Sequence, residues 1–330
     1  MRSRLVLVVV LAVLVAIVAV LIWGSAELRE PPPIGSPPVG SPFGSPFGSP
    51  VGSPFGAAAS GGQPAFGHVY LIVFENHGFD AVVNGSEMPY LKGLIRRGAL
   101  ATAYSAISHP SQPNYIALFS GSTHGVTDDG NHNIDAPSLA DQLDAHGRTW
   151  AVTAENVSEG CFPGATADGG PDGPGTYARK HEPAISFVSI RRDPARCARI
   201  ANLSSFDAGR ADFQLIVPNL CHDAHDCSLA VADKWLAGFA PRIVDSAAFK
   251  GDGVLFVTFD EAESRGPNVV PLVAVGPSVR VGATTAQVGN HYSLLRTIED
   301  NWSLGCLARA CSVEPLRTMF RAGPGSSSAP

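Results

Sequence analysis

At 330 residues, 45% of them hydrophobic, the chain is long enough for one large α/β domain with appendages. Its net charge of −6, counting histidine as neutral, excludes a bulk electrostatic attraction to nucleic acid. The 35 glycines and 27 prolines are high counts, and much of that excess lies near the N-terminus.

Residues 1–4 hold two arginines, and residues 5–23 form an uncharged, almost wholly apolar run. Those nineteen residues would reach about 28 Å as a helix, close to the thickness of a hydrocarbon core. The basic residues ahead of the run favour a cytoplasmic N-terminus. The run ends Ile-Trp-Gly-Ser-Ala, a poor cleavage site, which favours an uncleaved signal anchor over a signal peptide. Either reading exports the rest of the chain: anchored to the cell membrane, or secreted if the segment is cleaved. Residues 24–65 read as a linker, with GSPF-type repeats from Gly40 that are too poor in apolar area to order.

Residues 68–74, HVYLIVF, read as a strand buried on both faces, stopping at Glu75, Asn76 and His77. Residues 88–97 have helical spacing up to Gly98, and residues 99–108 read as extended. In HPSQPNYIALFSG, Pro110 and Pro113 bracket Ser111, and Tyr115 to Ser120 resemble the first turns of a buried helix. Ser111 then sits at a helix N-terminus, where free N–H groups favour an anion; it is a candidate nucleophile or a plain cap. Residues 138–147 begin like a capping box, and TWAVTAE is the next strand.

Residues 158–184 are rich in Gly, Pro and Asp and read as a long loop shaping a pocket. The strand FQLIVPN runs into LCHDAHDCS, where His222, Asp223, His225 and Asp226 crowd between two cysteines, a pattern that signals metal. Residues 228–246 read as an amphipathic helix. GVLFVTFDEAES is a strand ending in Asp260 and Glu261, VVPLVAVGP another strand, and His291 opens a further helix. Residues 66–318 are assigned to one catalytic domain and residues 319–330 to a frayed tail.

All six cysteines follow residue 160. In an exported chain an even count suggests disulfides, with Cys221–Cys227 and Cys306–Cys311 as local bridges and Cys161–Cys197 remaining. A zinc site competes, but the spacings are not of the CxxC type.

The alternation of strands and helices predicts an α/β fold with a largely parallel central sheet and helices on both faces. Strand ends then converge on one edge, gathering Glu75, Asn76, the histidine loop, Asp260 and Glu261. Such oxygen and nitrogen donors suit one or two divalent cations (Zn²⁺, Mn²⁺, Mg²⁺ or Ca²⁺), and a metal can activate a serine hydroxyl. There is no G-x-S-x-G elbow around Ser111 and no Walker A motif.

ENHGFD, HPSQPNYIALFSG, VPNLCHDAHDCS, TFDEAES and NHYSLLRTIED, in that order, resemble the bacterial phosphoesterase family of acid phosphatases and phospholipases C, within the alkaline phosphatase superfamily. The resemblance spans roughly residues 66–312 and implies an alkaline-phosphatase-like fold. It implies a phosphoric ester hydrolase with Glu75, Asn76, Ser111, Asp260, Glu261 and His291 on metal, His291 alternatively on phosphate. Ser111 is the implied nucleophile, forming a phosphoserine. His225 is the first choice for a catalytic histidine, with His222, Asp223 or Asn219 as other candidates for substrate or phosphate. His109 and Asn114 are implied phosphate contacts. The implied substrate is a small-molecule or lipid phosphate ester. The short chain favours a phosphomonoesterase over a phosphodiesterase or phospholipase C. A non-catalytic module binding phosphorylated ligands is the alternative from another class.

Overall fold

The computed structural model describes residues 66–321, apart from Glu159, Pro171, Asp172, Ser264 and Arg265. The expected anchor, linker and most of the tail lie outside the described residues. Among the described residues no helix is long and apolar enough to cross a membrane.

The first strands are β1 (His68–Phe74), β2 (Ala99–Ala101), β3 (Tyr104–Ser105) and β4 (Trp150–Ala154). A hairpin of β5 (Thr166–Gly170) and β6 (Gly173–Ala178) follows, then β7 (Ile200–Asn202) and β8 (Phe213–Val217). The last are β9 (Gly253–Phe259), β10 (Leu272–Val275), β11 (Ala283–Thr285) and β12 (Gly289–Asn290). Eight of them form one sheet in the order β11-β2-β10-β9-β1-β8-β4-β7. Strand β1 lies near its middle, parallel to β8 and β9, and β4 runs parallel to β8 and β7. Strand β10 breaks the parallel pattern, pairing antiparallel with both β9 and β2. An apolar run such as VVPLVAV does not encode strand direction, because burial on both faces looks alike in either sense.

Five longer helices flank the sheet: α1 (Pro89–Arg97), α2 (Ser111–Ser120), α3 (Leu139–Ala145), α4 (Leu229–Val244) and α5 (His291–Asn301). Strand alternation assigns them to faces. Leu71 and Val73 of β1 meet Leu118 of α2 and Leu294 of α5 around one small apolar cavity. Phe74, one residue on, packs edge-on against Trp235 of α4. Helix α4 also receives α1, whose Tyr90 and Leu91 N–H groups donate to Asp233. With both faces covered, every β1 residue after His68 is buried, and each large side chain contributes roughly 1.5–3 kcal/mol of burial.

The loop expected over residues 158–184 contains the β5–β6 hairpin and ends in a short turn of helix, Arg179–His181. The cysteines pair as Cys161–Cys197, Cys221–Cys227 and Cys306–Cys311.

Candidate active site

Strands β1, β8 and β9 are parallel, so Glu75, the 219–227 loop and Asp260 leave the sheet at the same edge. Glu75 is wholly buried there. Asn76 follows with φ 56°, a left-handed conformation that asparagine tolerates better than most residues and that reverses the chain. The Asn76 backbone N–H donates to Asp260 Oδ1 at 3.0 Å, and its side-chain amide donates to Glu75 Oε2 at 3.1 Å. The two strand ends are thereby locked together.

Ser111 is the first residue of α2, a helix buried along its entire length. The helix stops at Gly121, where φ is 72° and a Cβ would lie 2.2 Å from the Leu307 carbonyl oxygen; only glycine fits that turn. Ser111 Oγ donates to Glu75 Oε2 at 3.0 Å. The other Glu75 oxygen accepts from Tyr115 one turn along the same helix, at 2.7 Å.

His181 lies on the far side of Glu75. Its Nδ1 is 3.0 Å from Asp223 Oδ2, and its Nε2 is 3.1 Å from Glu75 Oε1 without hydrogen-bond geometry. Asp223 is itself fixed, its carbonyl accepting from the Glu75 N–H and its Oδ1 from the His225 N–H. His225 is partly exposed, with Nδ1 on Asp226 at 2.7 Å and Nε2 3.2 Å from Lys180 Nζ.

Burial, and then the charges of Asp260 and Asp223, push the Glu75 carboxyl well above its usual range. Burial likewise raises Asp223 to about 8, Asp260 to about 7 and Glu261 to about 8. It pushes His181 well below the ordinary imidazole value. Four acids so arranged repel one another unless a positive charge joins them. Two buried atoms point at the same need: Asp260 Oδ2 and His181 Nε2 have no hydrogen-bond partner. Glu75, His181 and His225 offer ligand atoms within 4.8 Å of one another, a spacing one cation could span. The donor set of carboxylates, imidazoles and a hydroxyl fits a divalent metal.

Of the expected metal residues, Glu75, Asn76, Ser111 and Asp260 come together. Glu261 lies beside them, its Oε2 on His109 Nδ1 at 2.8 Å and within 3.3 Å of Asn114. His291 does not face the cluster. Its Nε2 donates to the Asp260 carbonyl at 2.6 Å, holding Asp260 from behind, and its Nδ1 meets the Tyr104 hydroxyl at 2.9 Å, so both nitrogens are committed. Burial lowers it to about 4, which keeps the ring neutral.

The other phosphate-contact candidates divide. Asn114 is buried and spends its amide on the 107–110 backbone, accepting from Ile107 and Ser108 and donating to Ser108 and Pro110. Asn219 and His222 face away: Asn219 donates to Asn156, and His222 Nδ1 sits 2.9 Å from both oxygens of Glu155. Strand β8 delivers the loop, and its turn past Asn219 sends consecutive side chains to different sides. His222 therefore stacks on Trp235 while Asp223 turns to His181.

Reading of the sequence passed over His181, Lys180 and Asp129. The first two stand in YARKHEP, at the end of a loop whose return to the sheet edge no local pattern announces. A basic pair closing a Gly/Pro-rich segment was the available signal.

The profile of the Phosphoesterase family matches residues 81–305. The chain is 33% identical to a phosphate-repressible acid phosphatase of Penicillium chrysogenum over 66% of this chain, and spans 55% of that relative's length. It is 30% identical to a phosphatidylinositol-3-phosphatase of Mycobacterium tuberculosis over 79% of this chain and 85% of that protein. Among solved structures, a protein in the alkaline phosphatase superfamily from Vibrio parahaemolyticus aligns with TM-score 0.50 and 13% identity. It covers 80% of this chain and 74% of that one, a likeness of fold.

Proposed function

The chain belongs to the Phosphoesterase family, and from that premise we propose that it hydrolyses phosphate esters, most readily monoesters, with Ser111 as nucleophile. One observation carries the reading. A serine hydroxyl at a buried helix N-terminus donates to a buried carboxylate, Glu75, inside a cluster of acids and imidazoles with unspent donor atoms. The names of the relatives, two phosphatases, support the same chemistry.

Glu75, Ser111 and Asp260, with His181 Nε2, would hold a divalent cation. Such an ion supplies positive charge that favours the serine alkoxide and offsets the crowded carboxylates. The chain's own residues do the rest. Asn76 fixes Glu75 against Asp260, and His291 fixes the Asp260 backbone. The hydroxyl of Ser111 already donates to Glu75 Oε2, so its proton points at that carboxylate. Ser111 Oγ attacks phosphorus in line, and the bond to the leaving alcohol breaks with its electron pair. The alcohol takes a proton from water or from a group at the mouth such as His225. At the start of α2 the Gln112 N–H is held by Asp129 and Pro113 has none, so the Ser111 N–H is the group that would meet a phosphoryl oxygen. Water then cleaves the phosphoserine and restores the hydroxyl.

We also place this chemistry outside the cytoplasm. Three disulfides suit an oxidising compartment, and residues 5–23 suit an export segment. The test of function is direct. Purified protein with added divalent cation should hydrolyse p-nitrophenyl phosphate, and Ser111→Ala should lower turnover by about a thousandfold or more with the fold intact. Undiminished turnover in that variant rejects Ser111 as nucleophile. Absent turnover with every phosphate ester and metal tried would leave a phosphate-binding module.

A further inference from the structure

Lys180 stands where the four acids of the site can all feel its charge: it interacts with Glu75, Asp223, Asp260 and Glu261. Its position is built and not incidental. Asp129 Oδ1 accepts the backbone N–H of Gln112, the residue after Ser111, at 3.0 Å. The other oxygen, Asp129 Oδ2, accepts from Lys180 Nζ at 2.9 Å. The nucleophile's helix and the ammonium are thus bolted to one carboxylate. From the opposite side Lys180 Nζ donates to His225 Nε2 at 3.2 Å, and His225 donates its Nδ1–H to Asp226.

An ammonium has three donors. Asp129 and His225 take two. The third has no partner among the described residues, and the side chain is only 20% exposed. A half-buried cation with one open donor, fixed relative to the nucleophile by a shared carboxylate, is shaped to meet an anion.

Esters differ in what they present there. A phosphate monoester offers three non-bridging oxygens and up to two negative charges. A diester offers two such oxygens and one charge. The two oxygens that would meet the Ser111 N–H and the acid cluster's cation position are common to both. A donor on the side of Lys180 meets the remaining oxygen in a monoester and an esterified, weakly accepting oxygen in a diester.

We propose that Lys180, positioned by Asp129, contacts the non-bridging oxygen that distinguishes a phosphate monoester from a diester and so makes the site selective for monoesters. This rests on the reading of Ser111 as the nucleophile of an ester hydrolase. Lys180 touches substrate in this scheme. Asp129 is a positioning residue acting through it.

The test compares p-nitrophenyl phosphate with bis(p-nitrophenyl) phosphate on the full chain with added divalent cation. The diester is followed as a competitive inhibitor if its turnover is too slow. Lys180→Met should lower kcat/KM for the monoester by about 10- to 100-fold, the range for losing one charge-assisted hydrogen bond. Diester turnover or inhibition should fall by a clearly smaller factor, about 3-fold, the part of the loss that comes from disturbing His225 and the acid cluster. Inhibition by inorganic phosphate should weaken in step with the monoester. Lys180→Arg should restore part of the selectivity, and Asp129→Asn should shift it the same way by a smaller factor. If Lys180→Met misfolds, Asp129→Asn and Lys180→Arg carry the comparison. Equal losses for both esters, or none for either, overturn the proposal while leaving Ser111 in place. Monoester turnover that survives Ser111→Ala would instead remove the underlying reading.

Discussion

Ser111 Oγ and Glu75 Oε2 lie 3.0 Å apart although 36 positions separate them in the chain. One ends the central strand and the other begins a wholly buried helix, so neither can move without the core moving. That rigidity is what a nucleophile needs, since a misplacement of an ångström can cost two orders of magnitude in rate. Glu75→Gln keeps the shape and removes the charge. It should lower turnover at least about 100-fold and reduce bound divalent cation measured by elemental analysis of the purified protein. Full metal occupancy in the variant would remove Glu75 from the ligand set.

Two histidines separate site from surroundings. His181 bridges Asp223 and Glu75, whereas His222 serves Glu155. His181→Ala should cost about 100-fold or more in kcat with p-nitrophenyl phosphate, while His222→Ala should stay within about 3-fold. The reverse order of effects would place the reaction on the Glu155 side of the 219–227 loop.

The Cys221–Cys227 bridge closes a ring over a sequence separation of 6 and contains both Asp223 and His225. So short a ring constrains the unfolded chain by only about 2 kcal/mol. Its larger effect is on where Asp223 sits. Replacing both cysteines by serine should therefore lower Tm modestly and turnover by about tenfold or more. A large drop in Tm with unchanged activity in the surviving folded fraction would assign the bridge to stability alone.

Away from the site, Glu299 is buried under the Leu307 N–H, and burial raises its carboxyl to about 8. A carboxyl raised above its unfolded value of 4.5 binds its proton more tightly when folded. Stability is then highest at low pH and declines as pH rises from about 4.5 toward 8, by at most ~1.4 kcal/mol per pH unit from this group. Glu299→Gln keeps an acceptor for Leu307 and removes the titration. Thermal melts of the variant should show a shallower fall in Tm between pH 5 and 8. An identical slope in both proteins would show that Glu299 titrates normally.

Some of this was legible one residue at a time. The HVYLIVF strand, the proline-bracketed Ser111 ahead of a helix and the acidic pair after GVLFVTF are local patterns, because hydrophobic period and turn chemistry act over a few residues. The antiparallel sense of β10 and the hairpin between Cys161 and His181 were not, since neither burial nor composition encodes strand direction or loop path.

The amino-acid order by itself determined which strands are buried, which polar groups end them, and so that Glu75 and Asp260 belong to one rim, with Ser111 joined to them by the family resemblance. Only the packed molecule decided which histidines join them. Residues 181 and 291 are each a single imidazole near a helix end in the sequence. One ring turns into the acid cluster and the other binds the back of Asp260, because side-chain direction depends on neighbours brought from distant segments.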